Sequence, residues 1–367
     1  MPKENKPLST ILLKLARRAS QVLSLLAVAF TVGMWLFLNF VGYHNPASAF
    51  LLFLPAWLWS IPVWLALPLA LLFDPKKSGI LTLVVGLLYL GPLLGWQGSA
   101  SPPGDAEHSA DVLRVMTYNR GQAQKTSLQP FKLEHQPDVL ALQDAGRRLA
   151  SYQNADGYRE FTHVDGVGEF TLLSKHPIVR KDLLIYVQNG DTSRQVPVAA
   201  RFEIEMATRR VAIYSVHLPT PRPMLESERW GGFLWGILGL PGTDLARKRH
   251  SRQAYWDGKL SLATQLAETV AKESLPCIVV GDFNTPSMGT VYRAFVRSLQ
   301  DSHQVAGSGY GYTFPGVTRN PVAFQQPWLR LDYVFADKRH WKIISHVTEP
   351  DRASQHRAVF AQLAFSP

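Results

Sequence analysis

The chain has 367 residues, a net charge of +10 and a single cysteine, Cys277, which excludes an intramolecular disulfide. Its length exceeds that of an ordinary single domain and leaves room for an additional part. The first 99 residues hold seven bases and two acids. The modest positive excess in the remaining residues is weak evidence for nucleic-acid binding.

Three long stretches without charge near the N-terminus predict membrane-spanning helices. They cover approximately residues 21–43, 49–73 and 79–96, and each is long enough, or nearly so, to cross a bilayer. The first stretch is too long for a cleaved signal peptide, and two more follow it. The alternative, a buried helical hairpin in a soluble protein, is disfavoured. We therefore expect residues 1–99 to form an all-α transmembrane region of three helices.

The distribution of bases predicts the orientation of these helices. Five bases precede the first stretch, and Lys76 and Lys77 lie between the second and the third, whereas the loop at 44–46 has none. Bases mark the cytoplasmic side of a membrane protein, so everything after Trp96 is expected outside. These observations predict a multi-pass protein of the plasma (inner) membrane, with the lipid bilayer as a partner and the rest of the chain on the extracytoplasmic side.

A change in composition separates the apolar region from the rest of the chain. Residues 100–110 are rich in Gly, Ser, Pro and small residues, which is typical of a linker. From 111 to 367, short strand patterns alternate with turns and a few helices. Strands are predicted at 112–118, 137–142, 169–173, 179–187, 196–205, 210–216, 277–280, 331–335, 341–348 and 357–363, and helices at 245–273 and from 285. The predicted fold class is α/β (α+β), a four-layered β-sandwich in which two sheets are flanked by helices.

Polar residues collect where the predicted strands begin or end. They are Asn119, Asp144, His217, Asp282, Asn284, Asp332 and His356. Asp282 and Asn284 are two residues apart, so at a strand end their side chains project to the same side. Each residue alone has a structural interpretation, such as a turn at 281–284 or a helix N-cap at Asp144. Seven together favour a site that binds phosphate or deprotonates water.

Ordered segments of the chain carry a family resemblance. They read VMTYN at 115–119, PDVLALQD at 137–144, YSVHL at 214–218, GDFN at 281–284, RLDYV at 330–334 and SQHR at 354–357, with LSKHPI at 173–178 and GYTF at 311–314. Over approximately residues 112–364 the chain resembles the endonuclease/exonuclease/phosphatase superfamily. The preceding apolar region resembles the anchor of a membrane-anchored subgroup that includes a glycopeptide-resistance protein of actinomycetes.

The resemblance implies a divalent metal ion, Mg²⁺ or Mn²⁺, as cofactor. Asn119 and Asp144 would hold this ion through oxygen atoms. Two departures from the family pattern concern this site. The carboxylate that is normally Glu is the shorter Asp144, and Gln355 replaces the usual Asp before the last histidine. The loss of a negative charge at Gln355 is expected to weaken any second metal site.

The resemblance also implies catalytic roles. Asp282 would orient or deprotonate the attacking water, and Asn284 would hydrogen-bond the phosphoryl group. His356, held in its tautomer by Asp332, would stabilise charge or move a proton, and His217 would assist the leaving oxygen. The expected function is a membrane-anchored, metal-dependent phosphoesterase acting on a phosphorylated substrate. The alternatives are a surface-exposed nuclease and a binding module on a degenerate site.

Eleven residues without charge, 230–240, follow soon after His217 and predict a further membrane contact. The segment is too short to span a bilayer, but it contains Trp230, Phe233, Trp235 and Leu238 among four glycines. Such a composition favours a loop or short helix at the headgroup boundary. The alternative is a loop folded back over the sheet or against the membrane spans. We expect a lipid or lipid-linked phosphate as substrate, with nucleic acid as a less favoured partner.

Overall fold

The computed structural model describes residues 8–98, 111–121, 128–146, 149–154, 156–207, 209–227, 245–319, 321–352 and 354–366. Its α-helices are α1 (Leu8–Leu36), α2 (Pro46–Leu51), α3 (Ile61–Phe73), α4 (Ile80–Leu90), α5 (Phe131–His135), α6 (Leu149–Asn154), α7 (Arg222–Ser227), α8 (Leu245–Ala271), α9 (Thr290–Val296) and α10 (Ser302–Ala306). Its strands are β1 (Val112–Asn119), β2 (Val139–Gln143), β3 (His163–Val167), β4 (Phe170–Ser174), β5 (Ile178–Gln188), β6 (Asp191–Met206), β7 (Arg209–His217), β8 (Cys277–Asp282), β9 (Leu299–Asp301), β10 (Asp332–Asp337), β11 (Trp341–Thr348) and β12 (Val359–Phe365).

The N-terminal part, residues 8–98, is helical and is called the anchor below. Among the described residues, the helical stretches Leu8–His44, Ala56–Phe73 and Pro75–Leu94 are long and apolar enough to cross a membrane. Helices α2 and α3 are separate because Pro55, which has no N–H to donate, lies between them. Leu65 and Leu72 are 72% and 71% exposed. Such apolar faces are unfavourable in water, so they indicate membrane association.

Two six-stranded sheets make up the centre of the described remainder. Their strand orders are β11-β12-β1-β2-β4-β3 and β5-β6-β7-β8-β10-β9. Each sheet has a parallel pair near its centre, β1 with β2 and β7 with β8, and its other neighbours are antiparallel. At the carboxyl ends of these pairs, Asn119 lies opposite Gln143 and His217 opposite Asp282. Each parallel pair therefore presents polar side chains at one edge of its sheet.

Buried apolar side chains form the contacts between four layers. In β1, Val115 packs between the two sheets, whereas the next residue, Met116, packs on the outer face against α5 and α6, as expected for alternating strand residues. The outer face of the second sheet is covered by α8 and α9, and Trp256 of α8 is 2% exposed. The predicted α/β class, a β-sandwich flanked by helices and preceded by apolar helices, is confirmed. The linker prediction stays open because residues 99–110 lie outside the described part.

The anchor packs directly on the helices of the second sheet. The ring centroids of Tyr43 and Phe53 lie 5.3 Å and 6.0 Å from that of Trp256. The hydroxyl groups of Tyr43 and Thr285 share a buried hydrogen bond of 2.7 Å, and the Tyr310 hydroxyl donates to the Leu90 carbonyl at 2.7 Å. Polar and aromatic contacts therefore join the anchor to the sheets.

Some elements differ from the sequence-based expectations. The patterns do not predict β3, whose residues are all half-buried, or β9, which has three residues. The helix expected from residue 285 begins at Thr290, after an irregular segment in which Gly289 has a φ of 88°. Local periodicity does not reveal β9, because it has only three residues and pairs with the distant strand β10. It does not reveal β3 either, because this strand lies at the edge of its sheet and none of its residues is fully buried.

Candidate active site

Asp282, the last residue of β8, lies between two other reactive side chains. In the sheet it is opposite His217 of β7 on one side and opposite Asp332 of β10 on the other. This register aligns the three residues across adjacent strands. Gly281 permits the arrangement, because a Cβ there would lie 2.1 Å from the Val216 carbonyl oxygen and its φ is 130°.

Two side-chain amides hold the Asp282 carboxylate, which is 1% exposed. Asn119 Nδ2 donates to Asp282 Oδ2 at 2.9 Å, and Asn284 Nδ2 donates to the same oxygen at 3.2 Å. Asn284 Nδ2 also donates to the Leu218 carbonyl at 2.9 Å. Both hydrogens of the Asn284 amide therefore point at protein acceptors. Its predicted contact with a phosphoryl group requires one of these bonds to break.

His356 is oriented by a buried carboxylate. Its Nδ1 lies 3.0 Å from Asp332 Oδ2, and its Nε2 lies 3.7 Å from Asp282 Oδ2. Burial lowers the pKa of His356, but the negative charges of Asp332 and Asp282 outweigh burial and raise it to about 9. The ring is therefore a cation at neutral pH and presents an N–H donor beside Asp282.

Glu169 is a site residue that the sequence analysis does not identify. It lies between β3 and β4, and its Oε1 is 3.0 Å from His217 Nδ1. Burial lowers the pKa of His217, whereas this hydrogen bond and the charge of Asp282 raise it above its ordinary value. His217 Nε2 is directed towards Asp282 Oδ2 at 3.7 Å. A signal was available, because the strand predicted at 169–173 begins with this carboxylate.

Asp144, Glu169 and His217 each offer a ligand atom, and these atoms lie within 4.8 Å of one another. Burial raises the pKa of Asp144, the charge of His217 opposes this rise, and the nearby Glu169 carboxylate adds to it. Two adjacent carboxylates repel each other unless a cation lies between them. The two carboxylates provide the hard oxygen ligands that Mg²⁺ or Mn²⁺ prefers, and the side-chain oxygen of Asn119, also at the cleft, accepts a hydrogen bond of 2.9 Å from the Gly121 N–H. The residues present therefore fit a divalent metal ion.

These side chains open into a cleft of about 770 Å³. The residues at the cleft that were predicted from sequence are Asn119, Asp144, His217, Asp282, Asn284 and His356. Asp332 is buried and contacts His356. Arg120 and Arg222 add two guanidinium groups to the lining. The structure thus brings the predicted residues together, and their catalytic roles stay predictions.

The predicted membrane contact at Trp230, Phe233, Trp235 and Leu238 lies outside the described residues. The expectation that these side chains enter the headgroup region therefore stays a prediction. In the sequence, α7 precedes this segment and α8 follows it.

Comparisons with solved structures give distant similarities. The catalytic domain of human Nocturnin with bound sulfate is 18% identical, with a TM-score of 0.44, and the match covers 70% of this chain and 95% of that chain. A mannosyl-6-phosphatase of Bacteroides thetaiotaomicron is 16% identical, with a TM-score of 0.46, covering 69% and 100% of the two chains. An endonuclease/exonuclease/phosphatase family protein of Bacteroides thetaiotaomicron is 15% identical, with a TM-score of 0.47, covering 70% and 98%.

Comparison with sequence families is more informative. None of the curated proteins compared with the chain matches it. The model of the endonuclease/exonuclease/phosphatase family matches residues 99–356, which is more than half of the chain and includes the candidate site from Asn119 to His356. On this match, the chain belongs to the endonuclease/exonuclease/phosphatase family.

Proposed function

We propose that the protein is a membrane-anchored, divalent-metal-dependent phosphoesterase that hydrolyses a lipid or lipid-linked phosphate at the outer face of the membrane. Members of its family are hydrolases of phosphate esters and generally require a divalent metal ion. The observation that carries the proposal is the meeting of the Asp144–Glu169 carboxylate pair with Asp282, His217 and His356 in one cleft. Fold alone would not separate the activities of this family.

The metal site would form at the carboxylate pair. Asp144 and Glu169 would bind the ion, and Asn119 would add its side-chain oxygen. When bound, the ion would polarise a phosphoryl oxygen and offset the negative charge that develops during hydrolysis. Asp144 is shorter than the glutamate that is usual in the family at this position. Glu169 supplies a second carboxylate beside it.

The protein groups around Asp282 suit the proton transfers. Asp282 would orient the attacking water and accept its proton, because Asn119 and Asn284 hold the carboxylate in place. The N–H at Nε2 of His356 would stabilise charge on the phosphoryl group. Nε2 of His217 would donate its proton to the leaving oxygen, while Glu169 holds Nδ1, the other nitrogen of the ring.

The arrangement of the anchor supports an outward-facing cleft. Arg17 Nη2 donates to Asp74 Oδ1 at 2.8 Å, so the N-terminal bases lie at the same end of the anchor as Lys76 and Lys77. Tyr43 and Leu90, which contact the sheet-bearing part, lie at the other ends of the long helices. Because bases mark the cytoplasmic end, the sheets would lie on the outer side.

The test uses the full-length protein in phosphatidylcholine vesicles and a panel of phosphoesters with and without Mg²⁺ or Mn²⁺. The panel contains lipid diphosphates, sphingomyelin, inositol phosphates, DNA and bis-p-nitrophenyl phosphate. We expect metal-dependent hydrolysis of a lipid phosphate, and loss of turnover by orders of magnitude in Asp282→Asn and His356→Ala. Asp257→Asn is the matched control, because Asp257 is exposed on α8.

Three outcomes of this panel would contradict parts of the proposal. Full activity in excess chelator would exclude the metal-dependent mechanism. Hydrolysis of DNA in preference to every lipid ester would make the protein a surface nuclease. Metal-dependent binding without turnover on any ester would make it a binding module.

A further inference from the structure

Phe53 of the anchor lines the same cleft as the candidate catalytic residues. The residue follows α2, its ring stacks on Trp256 at 6.0 Å between centroids and 25° between planes, and it is 6% exposed. Its carbonyl oxygen accepts a hydrogen bond of 3.0 Å from Nε1 of Trp328. The anchor therefore contributes a side chain to the cleft in addition to joining the protein to the bilayer.

A continuous set of contacts connects His356 to Phe53. The ring of Phe314 lies 4.9 Å from the ring of His356. The backbone of Phe314 pairs with Leu329, with the Leu329 N–H donating to the Phe314 carbonyl at 2.9 Å and the Phe314 N–H donating back at 2.9 Å. Trp328, the residue before Leu329, donates its Nε1 hydrogen to the Phe53 carbonyl oxygen. Four apolar residues of this set line the cleft and are called the apolar wall below: Phe314, Leu329, Trp328 and Phe53.

The apolar wall leads towards surfaces suited to a bilayer. Trp57 of the anchor packs against Phe324, with 5.3 Å between ring centroids, and Phe324 is 72% exposed. Phe324, which precedes Trp328 by four positions in the sequence, therefore exposes a phenyl ring beside the anchor. Such a ring is suited to the boundary between headgroups and hydrocarbon. One end of the wall thus touches a candidate catalytic histidine, and the other end, Phe53, belongs to the anchor itself.

We propose that the apolar wall is the subsite for the hydrocarbon part of a lipid phosphate, and that Phe53 is a specificity-determining residue for chain-bearing substrates. This inference rests on the proposed phosphoesterase function. The phosphate would lie at the carboxylates and histidines while the first methylene groups of the chain pack on Phe53 and Trp328. The anchor then selects the substrate as well as tethering the enzyme. A lipid bound this way keeps contact with apolar surface from the bilayer to the reacting phosphate.

The experiment measures chain-length preference with ligands that cannot be hydrolysed. Methylphosphonate, hexylphosphonate and dodecylphosphonate are titrated by calorimetry into the full-length protein in phosphatidylcholine nanodiscs with Mg²⁺, and empty nanodiscs are subtracted. The wild type should bind dodecylphosphonate at least about tenfold more tightly than methylphosphonate, since each methylene removed from water contributes about fourfold. Phe53→Ala should reduce this ratio about fivefold or more, because the wall loses its anchor-side ring.

Phe40→Ala is the matched control, because it removes a phenyl ring of the anchor that packs on Trp35 outside the cleft. It should keep the wild-type ratio. If Phe53→Ala fails to fold, Trp328→Leu changes the neighbouring member of the wall and should reduce the ratio in the same way. An equal ratio in the wild type, Phe53→Ala and Trp328→Leu would overturn the proposal, as would a wild type without chain-length preference.

The two proposals fail separately. If metal-dependent hydrolysis is observed but chain length has no effect, the subsite is wrong and the phosphoesterase function stands. If no ester is hydrolysed but the chain-length preference depends on Phe53, the apolar subsite stands and the catalytic proposal fails.

Discussion

Nη2 of Arg222 donates a hydrogen bond of 2.9 Å to the side-chain oxygen of Gln355, the residue directly before His356. Both residues line the cleft. Since Gln355 is neutral, the pair carries the net positive charge of the guanidinium. The usual residue of the family at this position, Asp, would instead form an ion pair with Arg222. The substitution therefore makes the cleft more positive, which favours an anionic substrate over an additional metal ion.

Replacing Gln355 by Asp should reverse this balance. We expect Gln355→Asp to shift the metal concentration for half-maximal activity downwards and to raise KM for an anionic ester, because the new carboxylate attracts cations and offsets Arg222. The matched control is Gln355→Asn, which has the length of Asp without its charge. Metal titrations of hydrolysis measure both effects. Identical titrations for the two variants would show that the charge at this position does not act on the ion.

Removing the Glu169 carboxylate should weaken metal binding. Glu169→Gln keeps the shape of the side chain but loses the charge beside Asp144, so we expect metal affinity to fall about tenfold or more. Glu205→Gln is the control, because Glu205 is exposed on β6. Titration of Mn²⁺ followed by electron paramagnetic resonance measures affinity independently of turnover. Equal Mn²⁺ affinities of the two variants would show that Glu169 does not bind the metal ion.

The raised pKa of His356 predicts a pH-dependent stability of the metal-free protein. The folded state holds the His356 proton with a pKa of about 9 against an ordinary value of 6.5. The stabilisation is fully present below the ordinary value and is lost as pH rises through the folded value. In chelator, the Tm advantage of the wild type over His356→Asn should therefore shrink as pH rises from about 6.5 to above about 9. A constant Tm difference over this range would exclude the Asp332–His356 ion pair.

The orientation of the protein can be tested with reporters. An alkaline phosphatase fused at Pro367 should be active, because this enzyme needs export and the sheets would lie outside. The same reporter inserted between Pro75 and Ser78 should be inactive, because Lys76 and Lys77 keep that loop in the cytoplasm. A green fluorescent protein at each position serves as the complementary control. The reverse pattern would place the cleft in the cytoplasm and make soluble intracellular phosphates the better candidates.

Some features of the protein are local enough to be predicted. The three apolar stretches follow from their length and lack of charge, and the strand-end polar residues follow from short buried runs that stop at Asn119, His217 and Asp282. Two strands were less predictable, because β9 has only three residues and pairs with the distant β10, and the edge strand β3 lacks fully buried side chains. Ordinary side-chain chemistry also predicted that carboxylates, amides and histidines at strand ends would meet.

The sequence by itself determined which carboxylates, amides and histidines stand at the strand ends, since residue type and strand period are local properties. Only the tertiary structure decided which of them share a site. Glu169 joins His217 across 48 residues, and Phe53 meets Trp328 across 275 residues. These contacts arise from the pairing of strands and the packing of the anchor on α8, which no local pattern encodes. The physical reason is that contacts between distant residues depend on how whole layers pack together.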